Sequence, residues 1–308
     1  MFSTKILKAF LLGCYSLMIT TNIFYILYLK DILMYSTDMT FFSPIAPTYL
    51  VWGIVYIFQL FYVILQSCNN RPNKVVIYYS IISFLLNCIW IITNIFNYYW
   101  LTTLSTLSYL MAVSYTLYEN YEYYKNKEDK KSSKCVSLFI FSMNLSILLF
   151  TFMNNFTNSL GSIGWSNHYI VNTTKNMSSY NVTISGNEDW GMMCISVQTL
   201  FSVFLLLKYF NISFLLTSLW LYLGVMLNHT DIIMDIFPYD CKSNTIINYT
   251  GYNIIFLFLI FIISLFLFFY KYIVKKFNNC CNNKDNYYTP DDINNNLIDL
   301  ANCDALAI

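Results

Sequence analysis

The sequence predicts an all-α fold, a polytopic transmembrane bundle of about eight helices, from its composition and the grouping of its apolar residues. Hydrophobic residues make up 57% of the 308-residue chain and charged residues only 11%, whereas soluble domains carry about 25% charged residues. The apolar residues form runs of about 20, the length at which a helix crosses a bilayer. Because lipid offers no partners to backbone polar groups, each run is expected to be helical. The predicted spans are residues 10–29, 47–66, 75–96, 100–118, 135–153, 191–210, 212–227 and 253–273.

The first and last segments of the chain need separate interpretation. Span one has the basic start and apolar run of a signal peptide but no small-residue cleavage site, so a retained helix is favoured over a cleaved one. Little loop material separates the spans, and residues 1–277 are therefore predicted to form one bundle. The polar, Asn-rich residues 278–308 are predicted to be a disordered cytosolic tail.

The basic residues predict the orientation of the bundle in the membrane. All of the 17 Lys and Arg residues except Lys30, Lys175 and Lys242 lie in segments that alternate onto one side. Basic residues are enriched on the cytoplasmic side of membrane proteins. Both termini are therefore predicted to be cytosolic, and the opposite side lumenal.

Asn-x-Ser/Thr triplets on the predicted lumenal side are candidate glycosylation sites. The best placed are Asn172, Asn176 and Asn181 between spans five and six, and Asn248 before span eight. Glycosylation would favour the endomembrane system or the plasma membrane, although the sequence is also compatible with a mitochondrial membrane.

Composition and motifs also bear on the chemistry of the protein. Cys194 and Cys241 share the predicted lumenal side, where a disulfide between them is one alternative and free thiols are the other. No zinc-ligand spacing, nucleophile elbow or phosphate-binding glycine loop occurs, so no metal, cofactor or catalytic residue is predicted. No Asp or Glu lies in the core of a span, which disfavours ion-coupled transport. The net charge of +1 disfavours a nucleic-acid partner.

Four spans carry polar and aromatic residues at helical spacing, so that each set lies along one helix face. Such stripes have two interpretations. Small and amide residues can serve as packing contacts between helices, or the indole, phenol and amide groups can line a shared cavity for a flat, mostly apolar ligand. The stripes are Trp52, Tyr56 and Gln59; Ser83, Asn87, Trp90 and Asn94; Cys194, Gln198 and Ser202; and Thr217, Trp220, Gly224 and Asn228.

Three of these stripes resemble the TspO/MBR family of tryptophan-rich sensory or translocator proteins. Ala46-Pro47 followed by Val51-Trp52 and Tyr56 resembles the family's second helix, Leu86-Asn87-x-x-Trp90 its third, and Trp220-x-x-x-Gly224-x-x-Leu227-Asn228 its last. The chain departs from the family in having eight spans instead of five, and in lacking the Pro-Tyr that precedes the last-helix Trp. The resemblance implies a core of spans one to four and seven, with spans five and six inserted and span eight added.

The resemblance also implies a function for the bundle, namely binding or sensing of a hydrophobic ligand such as a tetrapyrrole or a sterol. The alternatives are a transporter or channel for uncharged solutes and a receptor-like protein. The predicted partners are the lipid bilayer and this ligand, and a homo-oligomer is compatible with the sequence. The residues implied to line the ligand site are Trp52, Tyr56, Asn87, Trp90, Trp220 and Asn228.

Overall fold

The described residues form long helices, which make up a helical bundle, and one small sheet. The computed structural model describes residues 3–32, 38–40, 42–43, 48, 50–69, 72–125, 131–164, 168–175, 178–230 and 243–285. Each helix overlaps one predicted span, in order, so the polytopic helical bundle is confirmed. The helices are α1 (Thr4–Ile32), α2 (Leu50–Cys68), α3 (Lys74–Ile95), α4 (Tyr99–Lys125), α5 (Lys131–Ser162), α6 (Glu188–Tyr209), α7 (Ile212–Asn228) and α8 (Asn244–Asp285).

The helices differ in how well they suit a bilayer. Within the described residues, six of them are long and apolar enough to cross a membrane, namely α1, α2, α3, α5, α6 and α8. Helix α7 is apolar but shorter, at 17 residues. Helix α4 is 27 residues long but carries Thr, Ser and Tyr along much of its length. The predicted spans four and seven are therefore helices that fall short of the others in hydropathy or in length.

The first five helices close a ring. Helix α1 packs against α2 and α3, α3 packs against α4, α4 against α5, and α5 against α2. The order around the ring is therefore α1, α2, α5, α4, α3.

The predicted core of spans one to four and seven is wrong in its fifth member, because α5 closes the ring and α7 packs on α5 and α6. From Ile140 to Phe150 every residue of α5 except Met143 is buried. A helix that is buried on all sides belongs at the centre of a bundle. Span five, which the resemblance placed among the inserted helices, is thus a central helix.

A three-stranded sheet that was not predicted from the sequence joins two connections between helices. Strands β2 (His168–Lys175) and β3 (Ser178–Ser185) form an antiparallel hairpin between α5 and α6. Strand β1 (Asp38–Thr40), which follows α1, pairs with β3 in parallel. The two connections therefore lie on the same side of the membrane, as the alternating topology requires.

Asparagine side chains start three of the helices. The Asn73 side chain accepts a hydrogen bond from the Val75 amide at the start of α3, and Asn187 and Asn211 cap α6 and α7 in the same way. Asparagine is among the best N-cap residues because its side-chain oxygen satisfies an otherwise unpaired helix N–H. These caps define where the chain turns back into the membrane.

The chain divides into two units, Met1–Phe258 and Leu259–Ile308. The first unit contains α1 to α7, the three strands and the beginning of α8. In the second unit α8 continues to Asp285, past residue 278, at which the disordered tail is predicted to start. Residues 286–308 of that tail lie outside the described residues.

Candidate functional site

Polar side chains from all five ring helices meet inside the ring. We call this set the polar cluster. All of its members except the half-buried Tyr56 are at most 7% exposed. The polar cluster consists of Asn22 on α1, Tyr56 and Gln59 on α2, Asn87 on α3, Tyr109 on α4 and Asn144 on α5.

Hydrogen bonds connect the members of the polar cluster across the helices. The Tyr56 hydroxyl donates to Asn22 Oδ1 at 2.6 Å, and Asn22 Nδ2 donates to Asn87 Oδ1 at 2.8 Å. On the other side of the ring, Asn144 Nδ2 donates to the Tyr109 hydroxyl at 3.1 Å. Tyr109 also lies beside the amides of Gln59 and Asn87, so that both groups of bonds belong to one cluster. Such interhelical bonds hold membrane helices in a defined arrangement.

An aromatic wall adjoins the polar cluster. The rings of Trp52 on α2 and Trp90 on α3 lie 5.6 Å apart, and Tyr56 stacks on Trp52 at 5.7 Å. Both tryptophans are about one helical turn from the polar cluster, on the predicted lumenal side of it. Four of the six residues implied by the family resemblance are thus brought together.

Polar groups in this site lack partners. Among the described residues, neither end of the Gln59 amide, nor Asn87 Nδ2, nor Trp90 Nε1 has a hydrogen-bond partner, although all of these atoms are buried. Leaving a buried polar group unpaired costs about 1–3 kcal/mol, and native proteins rarely do so. Three residues of this region, Gln59, Asn87 and Trp90, thus carry buried polar atoms without a partner among the described residues.

The other two residues implied by the resemblance lie elsewhere, on α7 against the segment that leads into α2. Trp220 Nε1 donates to the Thr48 carbonyl at 3.1 Å, and Asn228 Nδ2 donates to the Ser43 carbonyl at 2.8 Å. Between them, Gly224 touches Thr48 so closely that a Cβ at position 224 would lie 2.8 Å from Thr48 Cβ. The α7 stripe is therefore a surface that holds this segment.

Helix α5 holds the same segment from another side. The Thr40 hydroxyl donates to Asn154 Oδ1 at 2.5 Å. The fully buried Phe42 packs edge-on against Phe150, with ring centroids 5.5 Å apart. The beginning of α2, and with it the position of Trp52, thus depends on contacts with both α5 and α7.

Comparison with known proteins bears on this arrangement of helices. A family model described as TSPO-like protein matches residues 8–264. The chain belongs to the TSPO-like family. Neither the curated proteins nor the solved structures give a match. Family membership and the apolar helices together make the chain an integral multi-pass membrane protein in contact with the lipid bilayer.

Some residues of this TSPO-like site were not singled out from the sequence. Asn22 carried a usable signal, because an amide deep in an apolar span usually faces the bundle interior. Asn144 carried the same signal, but span five was interpreted as an insertion. Tyr109 carried none, since it is one of 28 tyrosines in the chain. Gln59 was assigned to a stripe but not to the ligand site.

Three of the four glycosylation candidates lie on the strands or on α8 of the TSPO-like chain. Asn172 on β2 and Asn181 on β3 are direct register partners, but their side chains, and the whole of Asn176, lie outside the described residues. Asn248 is exposed in the second turn of α8. Glycosylation at these positions remains a prediction.

One of the two cysteines of the predicted disulfide can be placed. Cys194 is only 2% exposed and is a free thiol among the described residues. It faces Thr157 of α5, inside the helix packing of the TSPO-like bundle. Cys241 lies outside the described residues, so the disulfide stays a prediction.

The unpaired amide of Gln59 leads to a stability prediction. Gln59→Met keeps an unbranched side chain of similar size and removes both unpaired groups. It is expected to stabilise the unliganded protein by about 1–2 kcal/mol, measured by thermal unfolding in detergent. The matched control is Gln198→Met, which is expected to destabilise, because Gln198 Nε2 donates to Ser146 and Ser218 at 2.9 and 2.8 Å. Equal losses in both variants would mean that Gln59 is paired in the folded protein.

Proposed function

We propose that the ring of α1 to α5 binds or senses a small, mostly apolar ligand, tetrapyrrole-like or sterol-like by family resemblance. The observation that carries this proposal is the set of buried polar groups without partners at Gln59, Asn87 and Trp90 among the described residues. A ligand that supplied complementary groups would recover the free energy that these groups lose when they are removed from water.

The surroundings of these groups suit such a ligand. The Trp52 and Trp90 rings offer flat apolar surface, and a few polar groups next to apolar walls are typical of small-molecule sites. Among the described residues, none of the buried side chains is Asp, Glu, Lys or Arg. The ligand would therefore be recognised by hydrogen bonds and apolar contact, and not by an ion pair.

The indole N–H of Trp90 provides a direct test of this proposal. Trp90→Phe keeps an aromatic ring and removes one unpaired donor, so ligand affinity is expected to fall about tenfold. Affinity is measured by titrating the protein in nanodiscs with a free-base porphyrin and, separately, with a sterol. The matched control is Trp100→Phe, since Trp100 is 43% exposed at the start of α4.

The outcomes of this titration separate the rival functions. Equal affinity of the Trp90→Phe and Trp100→Phe variants for every ligand would contradict binding inside the ring. Saturable flux of an uncharged solute through liposomes, without stable binding, would support the transporter instead.

The membrane in which the protein resides is a separate part of the proposal. The Asn-x-Ser/Thr triplets between α5 and α6 favour the endomembrane system or the plasma membrane. These triplets have biological meaning only in a compartment where glycosylation occurs.

A further inference from the structure

Four tyrosines form a surface outside the ring site, at the predicted cytosolic ends of α3 and α4. We call this surface the tyrosine patch. Across the two helices, the rings of Tyr79 and Tyr115 lie 4.2 Å apart. Each ring has a neighbour on its own helix, Tyr78 at 5.8 Å from Tyr79 and Tyr118 at 6.3 Å from Tyr115. The four rings are therefore continuous from one helix to the next.

The predicted spans place the tyrosine patch at the level of the lipid headgroups. Its α3 members lie in the second turn of that helix, and its α4 members lie in the last four residues of predicted span four. Tyr78, Tyr115 and Tyr118 are between 40 and 54% exposed. Tyrosine is common at this level as a membrane anchor. An anchor needs no charged neighbour, however, and this patch has one.

The charged neighbour of the tyrosine patch is a carboxylate. Glu119 comes one helical turn after Tyr115 on α4, and its carboxylate lies beside the Tyr115 hydroxyl. The faces of aromatic rings also carry partial negative charge, because of their π electrons. Ring faces and a carboxylate together attract a cation and repel an anion.

The described part of the chain supplies no cation to these four rings. Another aromatic group at the cytosolic end of the bundle shows the contrast. There Lys208 Nζ lies 5.2 Å from the Phe204 ring centroid and 5.1 Å from the Tyr209 ring centroid, so the protein's own ammonium covers the rings. Among the described residues, no lysine or arginine lies over a ring of the tyrosine patch in this way. Its ring faces are therefore open to a cation from outside the chain.

From these observations we propose that the tyrosine patch binds the quaternary ammonium of a phosphatidylcholine headgroup in the cytosolic leaflet. A trimethylammonium group has no N–H to donate, so aromatic faces recognise it better than hydrogen-bond acceptors do. The carboxylate of Glu119 adds electrostatic attraction for the same charge.

The surroundings of the tyrosine patch favour a lipid over a soluble quaternary ammonium. Met111, which precedes Tyr115 by one turn toward the membrane centre, is exposed and offers apolar contact to an acyl chain. Lys74, which precedes Tyr78 by one turn toward the cytosol, lies on the same face of α3 and can reach the headgroup phosphate. The patch thus offers a complementary group to each part of a phosphatidylcholine molecule.

Three lipids that differ only in their headgroups test this inference. Phosphatidylcholine is the expected ligand, and phosphatidylethanolamine carries a hydrated primary ammonium. A phosphatidyl 3,3-dimethylbutyl ester has the shape of the choline lipid but lacks its positive charge. Native mass spectrometry of the full-length protein in detergent counts the bound lipids at equal added concentrations. The choline lipid is expected to bind one site about fivefold more tightly than either of the others.

Substitutions separate recognition by the ring faces from simple anchoring. Tyr115→Leu keeps an apolar side chain but removes the ring, so it is expected to abolish the fivefold preference. Tyr115→Phe keeps the ring and is expected to retain the preference within about twofold. Glu119→Gln is expected to lower the preference to about twofold. The matched control is Tyr98→Leu, since Tyr98 is an exposed tyrosine in the turn between α3 and α4 at their other ends, and it is expected to change nothing.

Three results would overturn the inference. The first is equal binding of the choline lipid and its uncharged analogue by the unaltered protein. The second is an equal loss of preference in the Tyr115→Leu and Tyr115→Phe variants. The third is displacement of the bound lipid by millimolar free choline, which would make a soluble quaternary ammonium the occupant. None of them bears on the proposed function, because the tyrosine patch and the ring site share no residue.

Discussion

Asn22→Leu is expected to destabilise the protein by about 3 kcal/mol, since it leaves the buried Asn87 amide oxygen and the half-buried Tyr56 hydroxyl unpaired at about 1–3 kcal/mol each. Asn22 is the link between α1, α2 and α3. Its oxygen accepts from the Tyr56 hydroxyl at 2.6 Å, and its nitrogen donates to Asn87 at 2.8 Å. Leucine has a similar size, so the loss reports the hydrogen bonds and not a cavity. Thermal or denaturant unfolding in detergent measures it.

Two further variants make this prediction specific. Thr20→Val alters an exposed residue of α1 that bonds only within its own helix in the described structure, and it is expected to have little effect. Tyr56→Phe is expected to destabilise the unaltered protein but to cost almost nothing when Asn22→Leu is already present, because the bond is then already lost. Additive losses in the double variant would contradict the network.

Gly224→Ala is expected to destabilise the protein by about 2 kcal/mol through overpacking. A Cβ at position 224 would lie 2.8 Å from Thr48 Cβ. Thr48 is only 3% exposed and is held by Trp220, which bonds its carbonyl oxygen. The side chain therefore has little room to move, and α7 would have to shift away from the segment that leads into α2. Thermal unfolding again provides the measurement.

The matched control for Gly224→Ala is another helical glycine. A Cβ added to Gly53 on α2 would have nothing within 4 Å among the described residues, so Gly53→Ala is expected to stabilise by up to about 1 kcal/mol through helix propensity. Thr48→Gly should rescue Gly224→Ala in part, since it removes the side chain that clashes. A stable Gly224→Ala variant without this rescue would show that α7 does not depend on the close approach.

Some parts of the fold could be predicted from the sequence and others could not. The helices were predictable because the length of an apolar run is set by the thickness of the membrane. The identity of the helix that completes the core could not be predicted, because α5 and α7 run in the same direction and either could close a ring. The family-like motif from Trp220 to Asn228 favoured α7 as the fifth core helix. In the structure, however, Trp220 and Asn228 donate hydrogen bonds to the segment before α2.

The candidate site, too, could be predicted only in part. Helical spacing within the spans predicted the convergence of Trp52, Tyr56, Asn87 and Trp90. The partner that connects them, Asn22, comes from a span with no stripe of its own, and it lies 34 and 65 residues from the two residues that it bonds. The three-residue strand β1 could not be predicted from the sequence either, because it exists only by pairing with β3.

Hydropathy and short motifs are properties of contiguous residues, and they suffice to predict a multi-pass membrane protein of the TSPO-like family. The completion of the ring by α5, and the lack of partners for Gln59 and Trp90 among the described residues, emerge only when the helices pack. Hydrogen-bond satisfaction inside a bundle depends on the groups that neighbouring helices present at the same depth, and the sequence of a single span does not contain that information.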